Sequence, residues 1–342
     1  MIGLEPPAPP PDIGPGGTLV IQTAFLGDVV LTTPLLAVLA ARHGPVDVLV
    51  RPSAASLIET LPSIRDVITY DKRGPERGWG AWHRLARRLA RRQYARSYLP
   101  HRSVRSAALA WWAKIPERIG FADAAAPWLY TRQVRRQTHL HESERLLALA
   151  GSRPLAPPAI QVGVTEDDRA AAYAWLAARG IGDGFVAMAP GSVWATKRWI
   201  GFSDLARLLP GRIVVIGGAD DAQSVSEIVD AAPDRVASAA GEVSLRVSAA
   251  IIERARVLVT NDSAPLHLAS AVGAPTVAIF GPTVPAFGFG PTAPRSAIVE
   301  RTDLSCRPCS DHGPAKCPLG HHRCMREIPA TAVRDAILQL TE

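Results

Sequence analysis

At 342 residues the chain is too long for one ordinary hydrophobic core and comfortable for two domains. Its 47% hydrophobic and 20% charged residues exclude a disordered chain and describe a globular one. The net charge of +7 is local: Arg77 to Arg118 holds eleven Lys or Arg against one acid, for +10, and the remainder sums to −3.

In chain order, Met1 to Gly17 is rich in Pro and Gly and reads as a flexible leader. It lacks the charged start and apolar centre of a signal peptide, so a cytoplasmic protein is expected. No apolar run reaches membrane-spanning length by inspection. Thr18–Gln22 reads as a buried strand, Asp28–Arg42 as a helix closed by Gly44-Pro45, and Val46–Val50 as a second strand. A helix near Ala54–Leu61 leads to a strand at Val67–Tyr70, and a basic helix runs from about Trp82 to Gln93. Pro154, Pro157 and Pro158 mark a linker between the halves. The second half restarts with a capping box at Thr165-x-x-Asp168 and a helix ending at Gly180. Strands follow at Phe185–Ala189 and Arg212–Ile216, separated by a helix at Phe202–Leu209. A helix at Leu245–Arg254, a strand at Val257–Val259, a helix ending at Gly273 and a strand at Thr276–Phe280 complete the pattern, before a last helix. Strands alternating with helices predict two α/β domains with parallel sheets, over residues 18–155 and 160–342.

Asn261-Asp262-Ser263-Ala264-Pro265-Leu266-His267 is the polar turn of a βαβ unit, where open parallel sheets bind ligands. A helix N-terminus there offers unpaired N–H groups to a phosphate, with the Ser263 hydroxyl and His267 beside them; equally, Asp262 or Ser263 simply caps the helix. Asp28 follows Gly27 just after the first strand, as either a general base or a helix cap. Lys197 follows the Pro190-Gly191-Ser192 turn closely enough to reach back over a phosphate, or else is a solvated cation ahead of a helix. Asp220 or Asp221 is placed to meet a ribose. Arg84, Arg87, Arg88 and Arg91 recur at helical spacing near Trp82, Trp111 and Trp112, fitting phosphorylated lipid headgroups, a solvated face or nucleic acid. All four cysteines lie in Cys306-x2-Cys309-x7-Cys317-x6-Cys324, spacing that allows a structural zinc, an iron–sulfur cluster, disulfides or reduced thiols.

Three of these segments together resemble glycosyltransferase family 9, the heptosyltransferases of lipopolysaccharide assembly. Phe25-Leu26-Gly27-Asp28 through Pro34 is similar to the family's Gly-Asp-x5-Pro loop. Pro190-Gly191-Ser192 with Thr196-Lys197-Arg198-Trp199 is similar to its Pro-Gly … Lys-x-Trp element, and Asp262–His267 to its donor-diphosphate motif, with Ala264 where many members carry glycine. The resemblance implies a GT-B architecture, two Rossmann-like doubly wound domains facing a central cleft, the first on the acceptor side and the second on the nucleotide-sugar side. It implies Asp28 as catalytic base and Lys197 as its catalytic partner. A donor site is implied at Gly27, Ser192, Thr196, Lys197, Asp221, Val243, Asp262, Ser263, Ala264, Leu266 and His267, and an acceptor site at Arg84, Arg88, His101, Arg102, Arg105 and Arg118. The expected reaction is inverting transfer of heptose from ADP-heptose to the Kdo–lipid A inner core, without a catalytic cofactor, at the cytoplasmic face of an anionic inner membrane. The Cys306–Arg323 segment resembles the second-transfer type. Rival readings are a relative using another nucleotide sugar, and a basic nucleotide- or nucleic-acid-binding protein with a zinc-knuckle-like loop at Cys306, Cys309, Cys317 and Cys324.

Overall fold

The structure, a computed structural model, describes residues 16–72, 74–151 and 154–341. Most of the leader therefore lies outside the described residues. Two parallel six-stranded sheets account for the twelve strands among them. The first holds β1 (Thr18–Gln22), β2 (Val46–Val50), β3 (Ile64–Thr69), β4 (Arg96–Leu99), β5 (Glu117–Phe121) and β6 (Arg132–Val134). The second holds β7 (Val186–Ala189), β8 (Ile213–Val215), β9 (Val236–Ser238), β10 (Val257–Asn261), β11 (Thr276–Phe280) and β12 (Ser296–Glu300). The central strands β1, β2, β10 and β11 are buried at every position, as continuous apolar runs covered on both faces by helices should be.

The first sheet is ordered β3-β2-β1-β4-β5-β6 and the second β12-β11-β10-β7-β8-β9. Numbered within its own half, each reads 3-2-1-4-5-6, the doubly wound order in which the chain reverses between the first and fourth strands. The switch points therefore lie between β1 and β4 and between β7 and β10. Each opens a crevice at the carboxyl ends of its strands.

Two elements differ from expectation. The stretch after β2 forms only a short helix, Pro52–Ala55, before a series of turns, with Leu57, Ile58 and Leu61 still buried. The helix Leu26–His43, at 18 residues, is long and apolar enough by length and composition to cross a membrane, contrary to the reading by inspection. Its role here is internal, because Val29 to Leu36 and Leu39 are buried against both halves. The predicted capping box is formed: Thr165 Oγ1 accepts from Asp168 N–H at 3.2 Å, and Asp168 Oδ2 accepts from Thr165 N–H at 2.9 Å. One apolar cluster runs from Val20 and Leu35 in the first half to Ile251 and Leu268 in the second, so the halves share core across the helices Leu26–His43 and Ala264–Val272.

Candidate active site

A cleft of about 460 Å³ opens between the two switch points and is lined from both halves. Phe25 to Asp28 arrive from the end of β1, Gly191 and Ser192 from β7, and Asp262 to Pro265 with His267 from β10. The approach between halves is close. A Cβ placed on Gly27 would lie 2.8 Å from His267 Cδ2, so only glycine lets the first helix meet the second so tightly.

Asp28 occupies the third position of the helix Leu26–His43, and its Oδ2 accepts the Phe25 N–H at 3.0 Å. Asp28 is therefore not the N-cap, which is Phe25, but an N3 residue reaching back to it, a role compatible with the base reading since the residue also lines the cleft. Burial pushes the Asp28 carboxyl up to about 6; the Phe25 N–H opposes this, while nearby Glu142 adds to it and Arg136 subtracts. Glu142 is itself held by Arg136 at 2.6 Å and Arg145 at 3.1 Å in a largely buried trio. Arg145 also donates to Phe287 O at 2.8 Å, and Glu142 N–H to Gly288 O at 2.8 Å, tying the last helix of the first half to the loop that brings Phe287 and Phe289 to the cleft.

On the opposite wall, Lys197 Nζ meets Asp262 Oδ2 at 2.6 Å, and the Thr283 hydroxyl donates to the same oxygen at 2.6 Å. An ammonium has three donors, so this pairing fixes Lys197 and leaves N–H groups for a ligand. The turn before it is pinned by Asn261, which donates to Pro190 O at 2.7 Å and accepts from Trp199 N–H at 3.1 Å. Asn261→Ala removes both bonds from a fully buried position and is expected to cost about 1–3 kcal/mol of stability, read from denaturant midpoints at constant m. Two buried polar atoms on this wall have no protein partner, Ser263 Oγ and His267 Nδ1. Burial pushes the His267 imidazole down to about 4, with Asp262 opposing and His141 and Lys197 assisting, so it is neutral near pH 7. Ser263 Oγ and His267 Nδ1 stand beside the N-terminus of the helix Ala264–Val272, whose unpaired N–H groups suit an anion.

Of the expected donor residues, Gly27, Ser192, Lys197, Asp221, Asp262, Ser263, Ala264 and His267 line the cleft. The other three stand behind it. The Thr196 hydroxyl donates to Pro314 O, Leu266 is fully buried beside Ala278 and Phe280, and Val243 packs against the main core. Asp221 holds the Gly218 N–H at 3.0 Å and packs so closely on Gly191 that a Cβ there would lie 2.4 Å from its carboxylate.

The expected acceptor set divides. His101, Arg102 and Arg105 follow β4 at the first switch point, where Arg102 pairs with Asp123 at 2.9 Å and burial pushes His101 down to about 4, assisted by Lys72 and Arg102. Lys72 donates to Thr23 Oγ1 at 3.2 Å at the same end of the sheet. Arg84 and Arg88 lie on the exposed side of the helix Trp79–Arg91. Arg118 sits near the start of β5, away from the carboxyl ends, and spends its guanidinium on the carbonyls of Leu129, Ile115 and Pro116.

Cys306, Cys309 and Cys317 are free thiols in one loop, and Cys324 is a free thiol in the short helix Arg323–Arg326 that follows it. Among the described residues no group of three or more His, Cys, Asp or Glu side chains is gathered as a metal site. Cys324 lies inside the second core, where burial pushes its thiol up to about 11, and Cys317 Sγ accepts the His322 N–H at 3.4 Å. What the loop does in this structure is brace. His322 Nε2 meets Thr196 O at 2.7 Å and Cys309 N–H meets Pro282 O at 2.8 Å, which brings Asp311 and His312 to the cleft.

Residues 82–318 match the family model described as glycosyltransferase family 9 (heptosyltransferase). Lipopolysaccharide heptosyltransferase 2 of Escherichia coli K12 is 27% identical over 294 residues, covering 79% of this chain and 84% of that protein. Lipopolysaccharide heptosyltransferase 1 of Pseudomonas aeruginosa is 28% identical over 314 residues, covering 85% of each. The fold is shared with a glycosyl transferase family 9 structure from Veillonella parvula, at TM-score 0.85 and 24% identity over 96% of this chain and 98% of that one. It is also shared with E. coli ADP-heptose lps heptosyltransferase II, at TM-score 0.78 and 23% identity over 95% and 98%. With the family model matching more than half of the chain and the fold shared over both halves, the chain belongs to glycosyltransferase family 9 and is a glycosyltransferase of GT-B architecture.

Proposed function

We propose that the protein transfers heptose from ADP-heptose to the inner core of lipopolysaccharide, as the second heptose on Kdo–lipid A, at the cytoplasmic face of the inner membrane. The observation that carries the reading is that one cleft is lined by a carboxylate with raised proton affinity and by a wall holding Lys197 and the unpartnered Ser263 Oγ and His267 Nδ1. Asp28 takes the proton of the acceptor hydroxyl as that oxygen attacks the anomeric carbon. The bond to the diphosphate breaks on the far side, and Lys197, Ser263, His267 and the helix N-terminus receive the departing charge. Attack and departure from opposite faces invert the anomeric centre, as in inverting glycosidases. Asp262 and Thr283 hold Lys197, and Asp221 is assigned to the ribose. The heptosyltransferase names of the relatives support the sugar, and membership in a glycosyltransferase family disfavours the nucleic-acid-binding alternative.

The test is mass spectrometry of protein, ADP-heptose and mono-heptosylated Kdo–lipid A, with ADP release followed alongside. One added heptose per ADP is the expected result; no transfer with folded protein overturns the donor–acceptor pair. Because the charge is received by protein groups, treatment with EDTA is expected to change the initial rate by less than about twofold. A loss of tenfold or more, restored by a divalent ion, would contradict the metal-free mechanism.

A further inference from the structure

The basic segment left one feature that the cleft does not use. Trp79 is 80% exposed, Trp111 51% and Trp112 47%, whereas Trp82 is buried. The four indoles form one edge-to-face chain, with ring centroids 6.0 Å apart for Trp79–Trp82, 5.8 Å for Trp82–Trp112 and 6.1 Å for Trp111–Trp112. Trp82 anchors the chain in the first-half core, so the exposed rings are held on a rigid base. The helix Trp79–Arg91 carries Arg84, Arg87 and Arg88 on its exposed side. Arg65 and Arg92, by contrast, are engaged with buried Asp47. These three have no carboxylate partner among the described residues. Monomeric surfaces rarely keep large exposed aromatic rings next to uncompensated cations without a partner.

We infer that this face docks the enzyme on an anionic phospholipid bilayer, with Trp79, Trp111 and Trp112 entering the headgroup boundary and Arg84, Arg87 and Arg88 meeting lipid phosphates. Amphipathic indoles favour that boundary, and each nearby basic side chain adds about fivefold to binding of an anionic leaflet. The helix follows the loop that leaves the carboxyl end of β3, the same end of the sheet that presents His101 and Arg102. Trp79 stands at that end, while Trp111 and Trp112 close the helix that leads to the start of β5, so the face runs along the side of the first half; its use by the enzyme rests on the lipid-linked acceptor proposed above.

The test is co-sedimentation of the full chain with vesicles of phosphatidylcholine alone and of phosphatidylcholine containing 30% phosphatidylglycerol, a composition of about one anionic lipid in three. Wild type is expected to bind the anionic vesicles at least tenfold more tightly. Arg84→Glu/Arg88→Glu should lose tenfold or more at low salt, and Trp79→Ser/Trp111→Ser should lose binding at low and high salt alike. The tryptophan pair should retain transfer to a deacylated, water-soluble acceptor and lose rate on the vesicle-embedded one. Equal binding to both vesicles, wild-type binding by either variant, or equally tight binding to a polynucleotide overturns the surface. Absence of transfer to both acceptors by wild type overturns the reaction instead and leaves the vesicle result standing.

Discussion

Asp28→Asn is expected to lower kcat by about 10²–10⁴-fold, the usual contribution of a positioned general base, with the dissociation constant for ADP changed by less than about twofold. The substitution keeps the side-chain volume and leaves an amide oxygen for the Phe25 N–H, so the helix start should survive. Single-turnover transfer and ADP titration separate the two effects. The same carboxyl sets the pH dependence. A base works deprotonated, and with burial pushing Asp28 up to about 6, the wild-type rate should fall tenfold per unit below that pH and level off above it. The asparagine variant should lose this limb. Stability runs the other way. The folded carboxyl holds its proton to a higher pH than the unfolded one, so ionising it opposes folding: nothing is lost below about pH 4, the cost grows between 4 and 6, and it is complete above 6. About two units of displacement correspond to at most about 3 kcal/mol. Asp28→Asn should therefore unfold at equal or higher denaturant than wild type at pH 8, the difference vanishing below pH 4. A variant with low activity and low stability at pH 8 would mean that Asp28 is a helix cap alone.

The fold was legible where burial is two-sided and local. β1, β2 and β11 match their predicted ends because a parallel central strand is an uninterrupted apolar run, and the helix Leu245–Arg254 matches because Ser244 caps it. The stretch from β4 to β6 was opaque, since its strands are three to five residues long and its arginines mask the apolar pattern. The edge strands β9 and β12, half exposed, show no periodicity either. The candidate site was legible where a backbone turn forces residue choice, at Gly27-Asp28, Pro190-Gly191-Ser192 and Asp262–His267. Side chains brought from afar were not: Glu142 and Arg136 beside Asp28, Thr283 on Asp262, and Asp311 and His312 from the cysteine loop carry no local signature. The resemblance also grouped Arg118 with Arg102, which the sheet then separates to opposite ends of neighbouring strands.

Lys197→Met tests the other wall and should fail in two separable ways. Removing one preorganised donor to a departing charge costs about 10²–10³ in kcat. The pair with Asp262 is largely buried, at 11% and 8% side-chain exposure, so methionine also leaves a carboxylate facing little but the Thr283 hydroxyl. Breaking one partner of a buried pair costs about 3–5 kcal/mol, which would appear as a lower denaturant midpoint. The double variant Lys197→Met/Asp262→Asn removes the stranded charge and should recover most of that stability. It should recover none of the lost rate, because the amide supplies no positive charge to the diphosphate. Recovery of both together would make Lys197 a structural counter-ion for Asp262. Recovery of stability alone leaves the ammonium acting on the leaving group, with Asp262 the residue that aims it.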